Sequence, residues 1–441
     1  MFRMGERLSV GLDFGTSNSA IATVENDNIK IFETREGQPT QPSSIFIRVD
    51  GYISVGNQAI KDSQNPEKHT DTHHFIPSIK PGFPIDYYEG NILRSKKTYT
   101  NGELLARFFS IEELGGSLIA DLKNRAEQAT GLEAQNIVLG RPIYFSEDEQ
   151  LDKMAQNRLA SAARNAGFRE IQFMFEPVAA ALYYQQFLST GKPRKIFVFD
   201  FGGGTLDVSI LNFDQPQTKK NLTANQLSSM VLGAHGIDLG GTDLDKDIFR
   251  SMFLKYFGSN VMYDEKQLRI PAHLHQDVTE WHLQEHMNNV NTLALLRRIA
   301  NDPNCSDTDA VNRLITLVGD QRIYSILRNI ETAKFQLSTK GEGQIQHEYK
   351  NIQIDQPLSR KKFEAIIRSR IDAVQECVDN CLRQAQITPQ EIDVILKVGG
   401  SSNNLFVGEM LGKVFPGHIR STEIFTSVVS GLAIAAKNSS S

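Results

Sequence analysis

Apolar residues in the first 32 positions fall into three short runs, at 8–13, 19–24 and 29–32. Gly15-Thr16 and Asn26-Asp27 lie in the two intervals between them. Short apolar runs separated by turn-forming residues are typical of strands joined by tight turns. The pattern therefore predicts an antiparallel meander at the start of the chain.

The same pattern occurs again from residue 195, in "KIFVFDFGGGTLDVSIL". In each copy an aspartate ends the first strand, Asp13 in one and Asp200 in the other. The preceding polar segment, 189–195, contains Gly and Pro and is the expected boundary between two related lobes, 1–190 and 191–441. We expect these lobes to enclose a cleft.

Between and after the two copies, strand-like and helix-like segments alternate, which predicts an α/β architecture. The expected elements are a strand at 136–145, a helix at 149–166 ended by Gly167, a strand "IQFMF" followed by a helix that Glu176-Pro177 opens, a glycine-rich loop at 231–245 leading into a helix, a mostly helical insertion at about 246–340, a strand pattern at 343–354, an amphipathic helix at 360–385, a strand, turn and helix start in "DVILKVGGSSNN", and a final helix "SVVSGLAIAAK".

Composition and charge narrow the class of protein. The chain has 441 residues, with 47 Lys and Arg against 52 Asp and Glu, a net charge of −5. This balance gives no reason to expect a nucleic acid or a membrane as partner. No apolar run is long enough to span a bilayer, and the N-terminus lacks the apolar stretch of a secretory signal. We expect a cytoplasmic location.

The three cysteines do not form a disulfide framework. Cys377 and Cys381 lie four residues apart on an apolar helical stripe. Small cysteine side chains on such a stripe are more often part of a core than ligands of a metal. We therefore expect both thiols to be buried.

Small residues follow each of the two aspartates: Gly15, Thr16, Ser17 and Asn18 after the first, and Gly202, Gly203, Gly204 and Thr205 after the second. Glycines let the backbone approach a ligand closely, and consecutive N–H groups can form an anion-binding nest. An aspartate beside a phosphate would be repelled unless a cation lay between them, and Mg²⁺ is the hard cation that carboxylates and phosphates hold together. Two such hairpins predict a site that grips one polyphosphate from both sides.

Two further glycine turns extend this hypothesis. Gly240 and Gly241 precede a helix, where Thr242 or Asp243 could equally serve as an ordinary N-cap. Gly399 and Gly400 follow a strand and leave room in which a flat nucleoside ring could lie. We expect the first pair to face the phosphates and the second to face the nucleoside.

At this point the sequence resembles the nucleotide-binding domain of the heat shock protein 70 (DnaK-type) family. The segments that carry the resemblance occur in the family's order and cover nearly the whole chain: "GLDFGTSNSAIA", "FEPVAAALYY", "VFDFGGGTLDVSIL", "IDLGGTDLD", "IETAKFQLS" and "LKVGGSSNN". The resemblance implies the actin-like ATPase fold, a duplicated ribonuclease H-like α/β fold with two lobes around a nucleotide cleft. It also implies a Mg²⁺-dependent ATPase of the chaperone and stress-response class, with ATP and ADP as ligands.

The resemblance assigns roles to matching positions. Lys80 corresponds to the catalytic lysine and Glu176 to the glutamate near the attacking water, and Thr205 helps to place that water. Asp13 and Asp200 would hold hydrated Mg²⁺, with Asp207 nearby for a metal or for K⁺. The two small-residue turns, with Gly240 and Gly241, would bind phosphate. The nucleoside would meet Glu331, Lys334, Ser338, Gly399, Gly400, Ser402 and Asn403.

From the residues alone, other interpretations stay open for three of these positions. Lys80 could be a solvated loop lysine, and Glu176 a carboxylate that stabilises a helix N-terminus. Glu331 and Lys334 could form a solvated ion pair one helical turn apart.

The sequence also departs from the family. Asn403 stands where the family has an arginine that stacks on adenine, and Glu423-Ile424 replaces the usual Asp-Pro. The chain stops just after "GLAIAAKN", which resembles the short, YegD-like branch without a peptide-binding domain. We expect a slowly hydrolysing, nucleotide-driven switch whose state a protein partner reads. The alternatives are a sugar-type small-molecule kinase of the same superfold and a non-catalytic nucleotide-binding scaffold.

Overall fold

The computed structural model describes residues 7–34, 36–48, 51–65, 74–85, 91–97, 105–185, 194–212, 230–280, 283, 287–416 and 426–439. Contacts between residues group the chain into two compact units. Unit 1 comprises 1–241, 373–403 and 407–441, and unit 2 comprises Thr242–Asp372 and Asn404–Phe406. The predicted lobes meet at 190 and 191, which lie outside the described residues, so that division stays a prediction.

Strands and helices alternate through the described residues. The strands are β1 (Arg7–Phe14), β2 (Asn18–Glu25), β3 (Asn28–Ile31), β4 (Gln41–Pro42), β5 (Ile45–Ile47), β6 (Ile53–Val55), β7 (His74–Ile76), β8 (Asn91–Lys97), β9 (Leu105–Ser110), β10 (Glu133–Arg141), β11 (Glu170–Phe175), β12 (Lys195–Phe201), β13 (Leu206–Asn212), β14 (Val231–Ile237), β15 (Met262–Tyr263), β16 (Leu268–Arg269), β17 (Glu342–Tyr349), β18 (Ile352–Ser359) and β19 (Val394–Val398). The α-helices are α1 (Gly56–Gln64), α2 (Ile111–Thr130), α3 (Glu149–Asn165), α4 (Glu176–Gln185), α5 (Gly241–Phe253), α6 (His273–Gln276), α7 (Val290–Ala300), α8 (Thr308–Gly319), α9 (Ile323–Lys340), α10 (Arg360–Ile366), α11 (Arg368–Ala385), α12 (Leu405–Val414) and α13 (Ser427–Ser439).

The first large sheet of unit 1 has the order β11-β10-β1-β2-β3, with β4 added beside β2. β1, β2 and β3 are antiparallel neighbours, which confirms the predicted meander. β10 pairs with β1 in parallel, and β11 pairs with β10 in parallel. The strand predicted at 136–145 begins earlier and ends at Arg141, because Pro142 has no N–H with which to continue the ladder.

The second large sheet of unit 1 repeats this arrangement in the order β14-β13-β12-β19. β12, β13 and β14 form an antiparallel meander, and β19 joins β12 in parallel. The expectation of a loop over 231–245 was wrong for its first half, since 231–237 is the strand β14. The glycines of this segment made it resemble a loop. A Cβ at Gly233 would lie 2.9 Å from the Ala385 Cβ, so close packing requires glycine there.

Two small-residue helices, α4 and α13, pack against each other and against both sheets of unit 1. The contact is close enough to exclude side chains at two positions. A Cβ at Gly431 would lie 1.8 Å from the carbonyl oxygen of Ala179, and a Cβ at Gly11 would lie 2.2 Å from the Ala433 nitrogen. The backbone of β1, which carries Asp13, is thereby held directly against the last helix.

The two helical cysteines are buried, as predicted. Cys377 and Cys381 are 1% and 0% exposed, and burial raises the pKa of the Cys381 thiol to about 12. The described residues include no group of three or more His, Cys, Asp or Glu side chains suited to a metal ion. Within the same residues, no helix is both long and apolar enough to cross a membrane.

Unit 2 is mostly helical, as expected for 246–340, and contains the hairpins β15–β16 and β17–β18. The pattern at 343–354 marks most of the second hairpin, which turns at Lys350 with φ 47°. The predicted single helix over 360–385 is interrupted at Ile367, between α10 and α11.

Candidate functional site

The two hairpin turns of unit 1 lie against each other, as the sequence predicted. A Cβ at Gly203 would lie 2.1 Å from Ser17 Oγ, and a Cβ at Gly204 would lie 2.5 Å from Thr16 Oγ1. A side chain on either glycine would push the turns apart. Glycine is therefore needed here for the approach of one turn to the other, and this packing sets the hydroxyls of Thr16 and Ser17 beside the second turn.

The third turn completes the cluster. A Cβ at Gly240 would lie 2.1 Å from the Gly203 carbonyl oxygen, and the Gly241 N–H donates to the Gly202 carbonyl oxygen over 3.0 Å. The Gly202 N–H donates in turn to the Thr205 carbonyl oxygen. The Gly241 N–H thus joins the third turn to the second, and the Gly202 N–H closes the second turn. The contact of either group with phosphate stays a prediction.

Three aspartates lie where these turns leave their strands. Asp200 and Asp207 are opposite each other in the antiparallel pair β12–β13, so both carboxylates are on one face of the sheet. Asp13 occupies the matching end of β1. Burial raises the pKa of Asp13 and of Asp207 to about 7, with a further contribution from Glu176. The pKa of Asp200 is also raised, by burial and then by Glu176, Asp207 and Asp13.

Lys80 lies in the middle of this acidic cluster. Its Nζ donates a 2.7 Å hydrogen bond to Glu176 Oε1, and the two side chains are 5% and 10% exposed. Burial lowers the pKa of the Lys80 ammonium, but the carboxylates of Glu176 and Asp13 raise it by more, so that the net shift of the pKa is upward. Lys80 is therefore a buried, charged partner of Glu176 rather than a solvated loop lysine.

Glu176 is the first residue of α4, so the interpretation as a helix-terminal carboxylate also holds. A Cβ at Gly140 would lie 3.1 Å from its Cγ, which shows how closely β10 approaches it. The structure thus joins two residues whose pairing no local sequence pattern indicates.

Asp207 has two neighbours that the sequence analysis missed. The Ile143 N–H donates to its Oδ1 over 2.8 Å, and a Cβ at Gly236 would lie 2.8 Å from that oxygen. A glycine inside a strand often marks such a close approach, and Gly236 is the signal that could have been used. Gly399 acts similarly for Asp200: it has φ 79°, and a Cβ there would lie 2.9 Å from Asp200 Oδ1.

The carboxylates fit a divalent cation by their chemistry. Asp13, Asp200 and Asp207 are hard oxygen donors, and their pKa values are raised first by burial and then by the nearby Glu176, so a cation among them would stabilise their charged forms. Lys80 lowers the pKa of all three, but burial and Glu176 outweigh it, so that each pKa lies above its ordinary value. Mg²⁺ is commonly held through one or two carboxylates and several waters, an arrangement that does not require three protein ligands in contact.

The predicted nucleoside residues are divided between the units. Glu331, Lys334 and Ser338 lie on α9 in unit 2, whereas Gly399, Gly400, Ser402 and Asn403 follow β19 in unit 1. Lys334 is buried and its Nζ lies 2.8 Å from Asp245 Oδ1, so it is not part of a solvated ion pair. Asp245 was missed from the sequence because it lies on another helix.

On the unit 1 side, the turn after β19 is closed by its own side chain. Ser402 Oγ donates to the Gly399 carbonyl oxygen over 2.6 Å. Asn403 Oδ1 is buried without a hydrogen-bond partner among the described residues. Whether these residues meet a nucleoside stays a prediction, and Glu423 and Ile424 lie outside the described residues.

A family model described as Hsp70 protein matches residues 9–281 and 311–436, which is most of the chain. The chain belongs to the Hsp70 family. The repeated sheets of unit 1 are accordingly those of the actin-like ATPase fold, as the resemblance implied.

Curated Hsp70-family relatives include proteins named chaperone protein DnaK. Those of Thermotoga petrophila and Thermosipho africanus are both 26% identical to the chain, over 418 and 416 residues. The one of Mycoplasmopsis synoviae is 25% identical over 415 residues. Each alignment covers 92% of this chain but only 54–55% of the relative. The chain thus spans about half the length of the curated relatives it matches.

Proposed function

We propose that the chain binds ATP and ADP together with Mg²⁺ and hydrolyses ATP slowly, as a nucleotide-driven switch of the Hsp70 chaperone type. The observation that carries the proposal is the buried Lys80–Glu176 pair, set among Asp13, Asp200 and Asp207. A cluster of charged side chains at this depth is costly to a fold, and perturbed ionisable groups gathered in one place are typical of a catalytic site.

Each part of the cluster has a distinct role in this proposal. The phosphate chain is bound by residues of the turns, namely Thr16, Ser17, Asn18, Gly203, Gly204 and Thr205. The backbone around them is shaped by Gly15, Gly202, Gly240 and Gly241. Lys80 stabilises negative charge that develops on the transferred phosphoryl group. Glu176 orients the attacking water and accepts its proton, and its hydrogen bond to Lys80 fixes the direction of its carboxylate.

Asp13 and Asp200 would hold the magnesium ion, with Asp207 nearby for the same ion or for K⁺. Bound there, Mg²⁺ supplies positive charge against the β- and γ-phosphates. The nucleoside contacts of Glu331, Lys334 and Ser338 on α9, and those of Gly399, Gly400, Ser402 and Asn403 after β19, stay separate predictions. A protein partner would read the nucleotide state, as befits a relative of chaperones.

The test uses the purified full chain and three variants. Titration calorimetry with MgADP should show binding by the parent, and Asp13→Asn or Asp200→Asn should weaken it by about tenfold or more, because each removes a carboxylate from the cation. Single-turnover hydrolysis of ATP should slow by about a hundredfold in Lys80→Met, since one preorganised electrostatic group is typically worth that much. An unchanged rate in Lys80→Met would contradict the catalytic assignment.

The same measurements separate the proposal from the alternatives. Tight MgADP binding with no hydrolysis by the parent would indicate a scaffold. Product ADP that appears only when sugars or polyols are added would indicate a kinase. Failure of the parent to bind either nucleotide would overturn the proposed function as a whole.

A further inference from the structure

Arg141 lies at the junction of the two strands that reach the acidic cluster. It is the last residue of β10 and pairs in register with Phe175, the last residue of β11. Glu176 follows Phe175 directly. The guanidinium group lies 5.4 Å from the centre of the Phe175 ring and 5.2 Å from that of Phe145, and the side chain is 12% exposed.

Hydrogen bonds from Arg141 fix the backbone that follows it. Its Nε donates to the Pro142 carbonyl oxygen over 3.0 Å, and a terminal nitrogen donates to the Ile143 carbonyl oxygen over 3.1 Å. That nitrogen also contacts both carboxylate oxygens of Asp152, at 2.8 and 2.9 Å. Asp152 Oδ1 in turn accepts from the Phe145 N–H over 2.7 Å. Arg141 and Asp152 thus hold the segment 142–145 at both ends.

The peptide groups of Ile143 connect this clamp to the site. The carbonyl oxygen of Ile143 accepts from Arg141, while its N–H donates to Asp207 Oδ1 over 2.8 Å. Ile143 is buried, so its N–H cannot turn to water without moving the segment. The direction of this N–H, and with it the hydrogen bond that favours charged Asp207, therefore depends on where Arg141 holds the chain.

The choice of arginine is informative. A buried ion pair is weak evidence for stability, since apolar residues of similar volume often serve a fold as well. A planar guanidinium with several N–H groups can stack on two rings and bind a carboxylate and two carbonyls at once, which an apolar side chain or lysine cannot do. These contacts fix the position of the backbone around Arg141. The positions they fix extend to Asp207 through Ile143, and to Glu176 through the neighbouring Phe175.

We propose that Arg141, braced by Asp152, is a positioning residue for the hydrolytic site, which orients Asp207 through the Ile143 N–H and Glu176 through Phe175. The proposal rests on the proposed function, since it concerns the rate of the same reaction. It assigns Arg141 no contact with nucleotide. Its removal should therefore lower kcat for ATP hydrolysis and leave KM nearly unchanged.

The decisive experiment compares Arg141→Met with Arg313→Met in the full chain. Arg313 is a matched control, because its guanidinium lies 4.2 Å from the centre of the Tyr256 ring and its Nε donates to the Tyr256 carbonyl oxygen over 2.9 Å, within unit 2. Arg141→Met should lower kcat by about tenfold or more, in the range known for residues that orient ligands of a site. Arg313→Met should hydrolyse ATP like the parent.

A double variant distinguishes positioning from general loosening. If Arg141 acts through Asp207, adding Arg141→Met to Asp207→Asn should cause a smaller fall in kcat than the same change causes in the parent. An equal fall in both backgrounds would overturn the route through Asp207. If Arg141→Met does not fold, Asp152→Asn replaces it in the same comparison. This change weakens the interaction of residue 152 with Arg141 and keeps the arginine.

Hydrogen exchange gives a readout that needs no nucleotide. In the free protein, the Ile143 amide should exchange at least about tenfold faster in Arg141→Met than in the parent, because the segment is released to open locally. Unchanged exchange together with unchanged kcat would overturn the inference. If the parent proves inactive, the proposed function fails by that result, and the exchange rate alone still decides whether Arg141 fixes the hydrogen bond to Asp207.

Discussion

Lys80 Nζ and Glu176 Oε1 are 2.7 Å apart and buried, although 96 positions of sequence separate the two residues. The pair is asymmetric in its surroundings. Lys80 is attracted to its charged neighbours, which are the carboxylates of Asp13, Glu176 and Asp207. Glu176, in contrast, raises the pKa of all three aspartates. This asymmetry has a consequence for stability.

Replacing the lysine should cost more than replacing the glutamate. Lys80→Met leaves the acidic cluster without the cation that its members share, and should lower the free energy of unfolding by about 3–5 kcal/mol, the usual cost of breaking a buried pair. Glu176→Gln removes one of several acids and leaves Lys80 beside Asp13, so its cost should be smaller. Urea unfolding without nucleotide or Mg²⁺ measures both. Equal costs would show that the aspartates do not compensate Lys80.

Two glycines of the turn cluster, Gly240 in the third turn and Gly202 in the second, should respond differently to alanine. Gly240→Ala places a Cβ 2.1 Å from the backbone oxygen of Gly203, which no side-chain rotation relieves, and should lower the free energy of unfolding by about 1–3 kcal/mol or more. Gly202→Ala meets nothing nearer than the Thr205 carbonyl oxygen at 3.7 Å, and should change stability by less than about 0.5 kcal/mol. Thermal unfolding of the two variants tests this contrast.

The Gly202→Ala variant then isolates the effect of ligand. Because its fold is expected to be intact, any loss of MgADP affinity in that variant reports a Cβ between protein and phosphate rather than a distorted turn. A clearly destabilised Gly202→Ala would contradict the arrangement of the turns described above.

We predict that the stability of unit 2 depends on pH through His275. It is buried, one ring nitrogen lies 3.1 Å from the Phe257 carbonyl oxygen, and burial lowers its pKa below the ordinary value of about 6.5. Well above pH 6.5 the ring is neutral in both the folded and the unfolded chain, so it adds no pH dependence there. As pH falls below that value, the unfolded chain takes up a proton that the folded chain resists, and stability is lost by up to about 1.4 kcal/mol per pH unit.

The measurement is the thermal midpoint of the parent and of His275→Gln between about pH 7.5 and about pH 5.5, on either side of the ordinary histidine pKa. The parent should lose more of its midpoint on acidification than the variant does. His273→Gln, at an exposed neighbouring position, is the control and should follow the parent. Identical slopes for the parent and His275→Gln would contradict the prediction.

The sequence predicted what local chemistry determines. Apolar runs and turn residues gave the first meander and the first two strands of the second, and the glycines after Asp13 and Asp200 gave the close approach of the two turns. It missed what depends on distant parts of the chain. Asp245 pairs with Lys334 from another helix, and Gly233 and Gly236 made β14 look like a loop although they are there to admit Ala385 and Asp207.

The register of the hairpin β12–β13 is intermediate between what the sequence predicted and what it missed. Asp200 and Asp207 are opposite each other because the turn between them has a fixed length, so their common face could have been inferred from the spacing alone. Ile143 could not have been, since its contribution is a backbone N–H that any residue except proline supplies.

The contact between Gly11 and the last helix has a consequence for the order in which the protein forms during synthesis. β1 (Arg7–Phe14) leaves the ribosome well before α13 (Ser427–Ser439) is made. At a synthesis rate of about 5–20 residues per second, the strand that carries Asp13 waits for tens of seconds before its packing partner exists. Unit 1 therefore completes this part of its core only after translation has passed residue 433, and until then β1 lacks its packing partner at Gly11.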